Sequence, residues 1–441
     1  MSSHLSNLKL DRRQFFGVAG ALAGVGLLAS CSTGTATDSG GGGSSRTPLK
    51  FWNMPWGKPA FNDVDEKITK AYKPQNGLPA TTYQTIQWSN YIQVFSSAIA
   101  SGTGPAVSSG GSTQAFLFES QGKIAYADDL IESWKSNGIY DDFLPGLTDA
   151  LKVKNGYVAV PYNVDCGVLW YNPDLLDKAG ADVPKDWQSY LDTCAALKKI
   201  GVYGYGTGAG SGNLTGANMI WSILISNGGG FFDEHQKVNA VTARNIEAVD
   251  FVLELAAKGY VDPASTTYTS ANVFSQWEAG KFGMGFANTG FAKNLSGPVA
   301  SVVKVGSPLT TASGSRGTSR GVNNIMMYKN TPSQKGSEAF LTYYYQHMAP
   351  LWTQGTGIGI PALKSITKTK EFRANANDVK IVEEWIPIGR SSGSPGSKSA
   401  FLGVSAIDST PALQAFAQSI LSGSTTAKEA LQTLQKAATS A

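Results

Sequence analysis

YVAVPYNVDCGVLWYNPDLLDKAGADVPKDW, residues 157–187, is the stretch on which the fold turns. Two apolar runs of strand length, 157–162 and 167–171, flank the interruption Asn163-Val164-Asp165-Cys166. Runs this short, rich in Val, Tyr and Trp, read as buried strands. The polar break between them reads as a crossover from one lobe to another. Further on, Asp186 is placed to cap a helix whose buried face is Trp187, Tyr190 or Leu191, Cys194 and Leu197. Lys198 and Lys199 suit its last turn, and Gly201 its stop.

Working outward, residues 48–54 read as a strand, the next residues as a loop with Trp56, Gly57 and Pro59, 62–72 as a helix and 81–87 as a second strand. That β-loop-α-β order opens a parallel α/β layer, in which ligands sit in loops at the carboxyl ends of strands. Trp52 and Trp56 occupy such a place. Apolar residues at helical spacing predict helices over 88–100, 243–258 and 337–347. Residues 310–320 and 391–399 are Gly/Ser/Thr-rich and read as loops. The chain shows no internal repeat. At 441 residues it is too long for one core, which predicts two lobes.

Ahead of this body stand Arg12-Arg13, an uncharged run from Gly17, and Leu28-Ala29-Ser30-Cys31. A basic segment, a short apolar stretch and small residues form an export signal, and paired arginines point to a twin-arginine route. The LASC motif resembles a bacterial lipobox, in which the cysteine is lipidated and becomes the first mature residue. Residues 1–30 are then a lipoprotein signal peptide, and 31–47 the lipidated Cys31 with a Ser/Thr/Gly tether. Losing 1–30 removes three cations and one anion, so the formal charge falls from +4 to +2. Such a chain has no nucleic-acid footprint. No apolar run after Cys31 is long enough to span a bilayer, leaving the lipid as the membrane attachment.

Catalytic and cofactor chemistry find little to work with. Gly317-Thr318-Ser319-Arg320-Gly321 matches GxSxG, but a polar loop precedes it and an apolar stretch follows, the reverse of the order a nucleophile elbow needs. No register of residues 204–216 satisfies GxGxxG, and neither Gly122-Lys123 nor Gly280-Lys281 carries the Ser or Thr of a P-loop. Only His235 and His347 follow the signal, far apart, so neither a metal nor a cofactor is expected. Cys166 and Cys194 read either as a disulfide or as two buried thiols. A pair of carboxylates for glycoside hydrolysis could lie anywhere in the chain, which keeps a secreted glycosidase among the readings.

Within 157–187 the pieces VPYN, WYNPDLLDKAG and VPKDW resemble, in order and spacing, the extracellular solute-binding proteins of bacterial ABC importers, the family that includes the maltose-binding protein. Other pieces follow in register: IASG at 99–102 with Pro105, NGG at 227–229, FSQWEAGKFGMG at 274–285, GIPA at 359–362 and AKEALQTLQKA at 427–437. The resemblance implies a two-lobed periplasmic-binding-protein fold. Each lobe would be a mostly parallel sheet flanked by helices, with three hinge crossovers: lobe 1 at 48–163 plus 307–358, lobe 2 at 166–305 plus 363–441. It implies a monomeric, lipid-anchored subunit, not an enzyme, that closes on a solute and hands it to membrane permease subunits.

Ten tryptophans and 17 tyrosines suit a carbohydrate, whose C–H faces stack on aromatic planes while its hydroxyls bond Asp and Asn. The candidate ligand residues are Trp52 and Trp56, Phe291 and Trp385 as stacking rings, and Asp165, Asn323 and Asn324 as hydroxyl partners. Asp165 and Phe291 rest on the resemblance, which places a sugar-contacting acid and a stacking tryptophan at those positions. Trp170, Trp187 and Trp221 read as core. The chain departs from the family at Pro105-Ala106-Val107, where Pro-Asp-Val is usual, and the lobe 1 acids and basic residue that bind maltose have no counterparts. Maltodextrin specificity is therefore not implied, and the same fold binding a polyamine or phosphodiester is the alternative.

Overall fold

A computed structural model describes residues 47–408 and 410–439. The signal, Cys31 and nearly all of the tether lie outside the described residues. The first sheet has the strand order Ile360–Pro361, Val160–Cys166, Thr318–Tyr328, Val107–Gly110, Leu49–Asn53, Thr81–Thr85. Its last three strands are parallel, and Thr318–Tyr328 runs antiparallel to both of its neighbours. The second sheet has the order Lys304–Val305, Val168–Tyr171, Met284–Ala287.

Parallel pairing holds where a helix returns the chain, as Pro59–Ala71 does between Leu49–Asn53 and Thr81–Thr85. Both ladders of the second sheet are antiparallel, and so are three of the five ladders along the first sheet's order, so the expectation of mostly parallel sheets is corrected in both lobes. Val168–Tyr171 leaves the crossover while Met284–Ala287 and Lys304–Val305 run beside it in the opposite sense. Parallel pairing survives on that side as the bridges Tyr203↔Phe282 and Tyr205↔Val261.

The polar interruption is not a break. Asn163 to Cys166 continue the strand Val160–Cys166, because Thr318–Tyr328 pairs with one side of it and Ile360–Pro361 with the other. Gly167 alone separates this strand from Val168–Tyr171. A side chain at Gly167 would come within 2.8 Å of Ser222 Oγ, so the bare backbone lets the helix Thr215–Ser226 pack against the crossover. That helix is tied down twice more: Ser222 Oγ lies 3.0 Å from Thr318 Oγ1 and accepts from the Ser319 N–H at 3.0 Å. Beyond Pro361 the chain stays beside residues 141–144, with the Ser365 N–H donating to Asp142 at 2.8 Å.

Helix punctuation follows local chemistry. Asp186 caps Trp187–Lys199 in a reciprocal capping box with Ser189, and Trp187 stacks on Phe251 at 4.4 Å. Cys194 and Cys166 are both buried free thiols, which settles that alternative. In the first lobe, a fully buried carboxylate organises the loop after the first strand. Asp65 accepts from Tyr344 Oη at 2.5 Å and from Asn53 Nδ2. Ser109 Oγ donates to Asn53 Oδ1 and accepts the Met54 N–H and the Trp56 indole N–H, each at 3.0 Å. Burial pushes the Asp65 carboxyl up from the ordinary 3.8 to about 6, against the lowering effect of these donors.

Candidate functional site

Between the two sheets, at the crossovers, lies a cavity of about 180 Å³. Its floor is the crossover itself, Asp165, Cys166 and Gly167, with Ser319, Gly321 and Asn323 from the neighbouring strand. Thr215, Asn218, Met219 and Trp221 of the helix Thr215–Ser226 form one wall, and Asn288 follows from the strand Met284–Ala287. Ser112, Ser392 and Asp408 close the rim.

Asp165 is held rather than loose. Its Oδ1 accepts both the backbone N–H of Thr289 at 3.0 Å and the Thr289 hydroxyl at 2.9 Å. Burial raises its pKa, and the Thr289 and Cys166 hydrogen bonds oppose that rise. Asn323 donates to Asn163 Oδ1 at 2.8 Å, and the register shift between Asn323 and Asn324 is a bulge that separates the two amides. Asn323 lines the cavity; Asn324, fully buried, turns its Nδ2 to the Gly111 and Val322 carbonyls.

The four aromatic candidates do not line the cavity. Trp52 is buried against Phe95 at 5.2 Å. Trp56 is buried on Ser109, between Trp88 and Tyr162. Phe291 joins Trp170 and Trp277 in a core cluster, with centroid distances of 5.5 and 5.0 Å. Trp385 is 2% exposed and donates to Gly306 O at 2.9 Å. Trp221 is buried in the core against Phe231 at 4.7 Å, as read, and also borders the cavity, where its buried indole N–H has no partner among the described residues. Nothing in the local sequence marks Thr215, Asn218 or Asn288 as wall residues beyond the Gly-rich segment ahead of Thr215.

Chemically, the walls offer hydroxyls, side-chain amides, one indole N–H and two carboxylates, with no Lys or Arg among the described lining residues. Such a surface satisfies a neutral ligand with many hydroxyls, each both donor and acceptor. Among the described residues there is no group of His, Cys, Asp and Glu able to hold a metal ion, and no helix long and apolar enough to cross a membrane.

Two lobes joined by crossovers, with a polar cavity between them, define a bacterial binding-protein fold. The chain belongs to the family described as bacterial extracellular solute-binding protein, whose model matches residues 60–349. It is the solute-binding component of an ABC transporter. It is similar to a sugar transporter from Arthrobacter chlorophenolicus A6 crystallised with bound laminaribiose: 43% identity, 89% of this chain and 99% of that one covered, TM-score 0.80. The sugar-binding protein MalE of Xanthomonas citri shares the fold at 20% identity, covering 88% and 96% of the two chains, with a TM-score of 0.71. A binding protein of Brucella abortus is 23% identical over 364 residues, 81% of this chain and 84% of the relative.

Proposed function

We propose that this protein captures a neutral mono- or oligosaccharide, with β-linked glucose disaccharides such as laminaribiose as the leading class, and delivers it to membrane permease subunits. The cavity lining carries this reading: the carboxylates of a half-buried Asp165 and of Asp408 with amides and hydroxyls, and no Lys or Arg among the described lining residues. The Arthrobacter relative, which holds laminaribiose, supports the sugar class. A phosphodiester entering the cavity would meet the carboxylates of Asp165 and Asp408.

In this reading, residues 48–163 plus 307–358 form lobe 1 and 166–305 plus 363–441 form lobe 2, except that the first residues after 362, bonded to Asp141 and Asp142, stay with lobe 1; the lobes close by hinge motion at the crossovers. Asp165 and Asn323 contact sugar hydroxyls. Trp52, Trp56, Phe291, Asn324 and Trp385 hold the walls from behind. The protein binds without turnover and acts as a monomer. After twin-arginine export, Cys31 carries the lipid that keeps it on the outer face of the cell membrane.

Thermal unfolding against a panel of sugars, polyamines and phosphodiesters tests the ligand class. Ligand at a hundred times its dissociation constant adds about 2.7 kcal/mol, a rise of several degrees for a protein of this size. A shift with neutral sugars alone is expected; a shift confined to a charged solute overturns the assignment.

A further inference from the structure

Nine of the ten tryptophans are buried, and Trp88 stands apart with 37% of its surface exposed. It lies in a short turn, Trp88–Asn90, ahead of the helix Tyr91–Ala100. Its ring is fixed in place. The indole N–H donates to Pro55 O at 3.1 Å, and T-shaped contacts join it to Trp56 at 4.8 Å and Tyr91 at 5.4 Å. An exposed aromatic side chain that is nevertheless immobilised has already lost its rotamer freedom, so a ligand binding to it need not order it.

Two further observations place this ring beside residues that border the cavity. A side chain built on Gly111 would meet Trp88 alone, at 3.9 Å, so the backbone beside the ring is bare and opens onto free space. The next residue, Ser112, lines the cavity. On the other side, Tyr91 lies close enough to the cavity-lining Asp408 for that carboxylate to help burial push its phenol up to about 12. An immobilised indole, an open floor of glycine backbone and a carboxylate within reach meet the needs of a pyranose ring, with an apolar face to stack and hydroxyls to bond.

We propose that Trp88 is the platform of an outer sugar subsite, which takes the second or third ring of an oligosaccharide whose first ring occupies the cavity. This rests on the carbohydrate reading above and adds to it a preference for chain length. The subsite stacks the outer ring on Trp88 over Gly111, and the inner ring keeps Asp165.

The test is calorimetric titration of the purified wild type, Trp88→Ala and Trp88→Phe with glucose, laminaribiose and laminaritriose. Trp88→Ala is expected to weaken the longer sugars about tenfold more than the shortest sugar that the wild type binds, and Trp88→Phe to recover most of that loss. Laminaritriose should also shield the wild type's tryptophan emission from acrylamide, since Trp88 is the exposed indole. Trp88→Ala binding every sugar like the wild type, or losing all lengths equally, overturns the subsite. A wild type that binds no sugar overturns the carbohydrate reading itself, and the subsite with it.

Discussion

Replacing Asp65 by Asn makes the stability of this protein less dependent on pH, by an amount that the first lobe's core fixes. Asp65 is fully buried, and its carboxyl titrates at about 6 in the fold against 3.8 ordinarily. The folded state therefore holds the proton more tightly than the unfolded chain. The stabilisation from this group is fully present below pH 3.8 and is lost as pH rises through about 6. At 1.36 kcal/mol for each pH unit between those values, the loss is about 3 kcal/mol. Asn cannot ionise, so urea unfolding of both proteins from pH 3.5 to 7 should show the wild type losing about 3 kcal/mol relative to Asp65→Asn. All other titrations are shared and cancel in the difference. A difference that stays flat with pH, or moves in the wild type's favour as pH rises, refutes the reasoning.

Asp165→Asn removes a charged acceptor from sugar hydroxyls and should weaken binding by about 1.5–3 kcal/mol, tenfold or more, with the unfolding midpoint little changed. Titration calorimetry reads this, and unchanged affinity takes Asp165 out of the contact set. Gly57→Ala puts a Cβ 2.0 Å from the Thr356 carbonyl oxygen where the two segments bridge, and overpacking of this kind should cost about 1–3 kcal/mol in urea unfolding. A variant as stable as the wild type would show that the two segments separate freely. Cys31→Ser should move the protein from the membrane fraction to the soluble one, whereas continued sedimentation with membranes would place the anchor elsewhere.

Elements whose ends carry their own chemistry were legible in the sequence. Asp186 and Ser189 cap Trp187–Lys199 where the pattern predicts, and Ala243–Ala257 ends within a residue of its expected limit. The crossover shows in the sequence as a polar interruption, whereas in the fold it is continuous strand up to Gly167. Its polar residues stay in a strand because two neighbours supply hydrogen bonds, and nothing in a local pattern reveals such long-range partners. The same limit explains the aromatics. A tryptophan in a loop after a strand reads alike whether it faces a ligand or, like Trp56, packs on Ser109 and Trp88. Trp88 reads as the first apolar residue of a helix, whereas it lies in a short turn ahead of one; Trp221 is core, as its helix pattern implies, and only the fold shows that it also borders the cavity. Asp165 was picked out by a family resemblance, and the fold adds what holds it, the backbone and hydroxyl of Thr289 from 124 residues away.

Titration of laminaribiose into the purified protein tests the central claim most directly. The account predicts saturable heat with one site per chain and unaltered sugar recovered afterwards. Absence of heat with laminaribiose and with every other neutral sugar, alongside saturable binding of a charged solute, would contradict it.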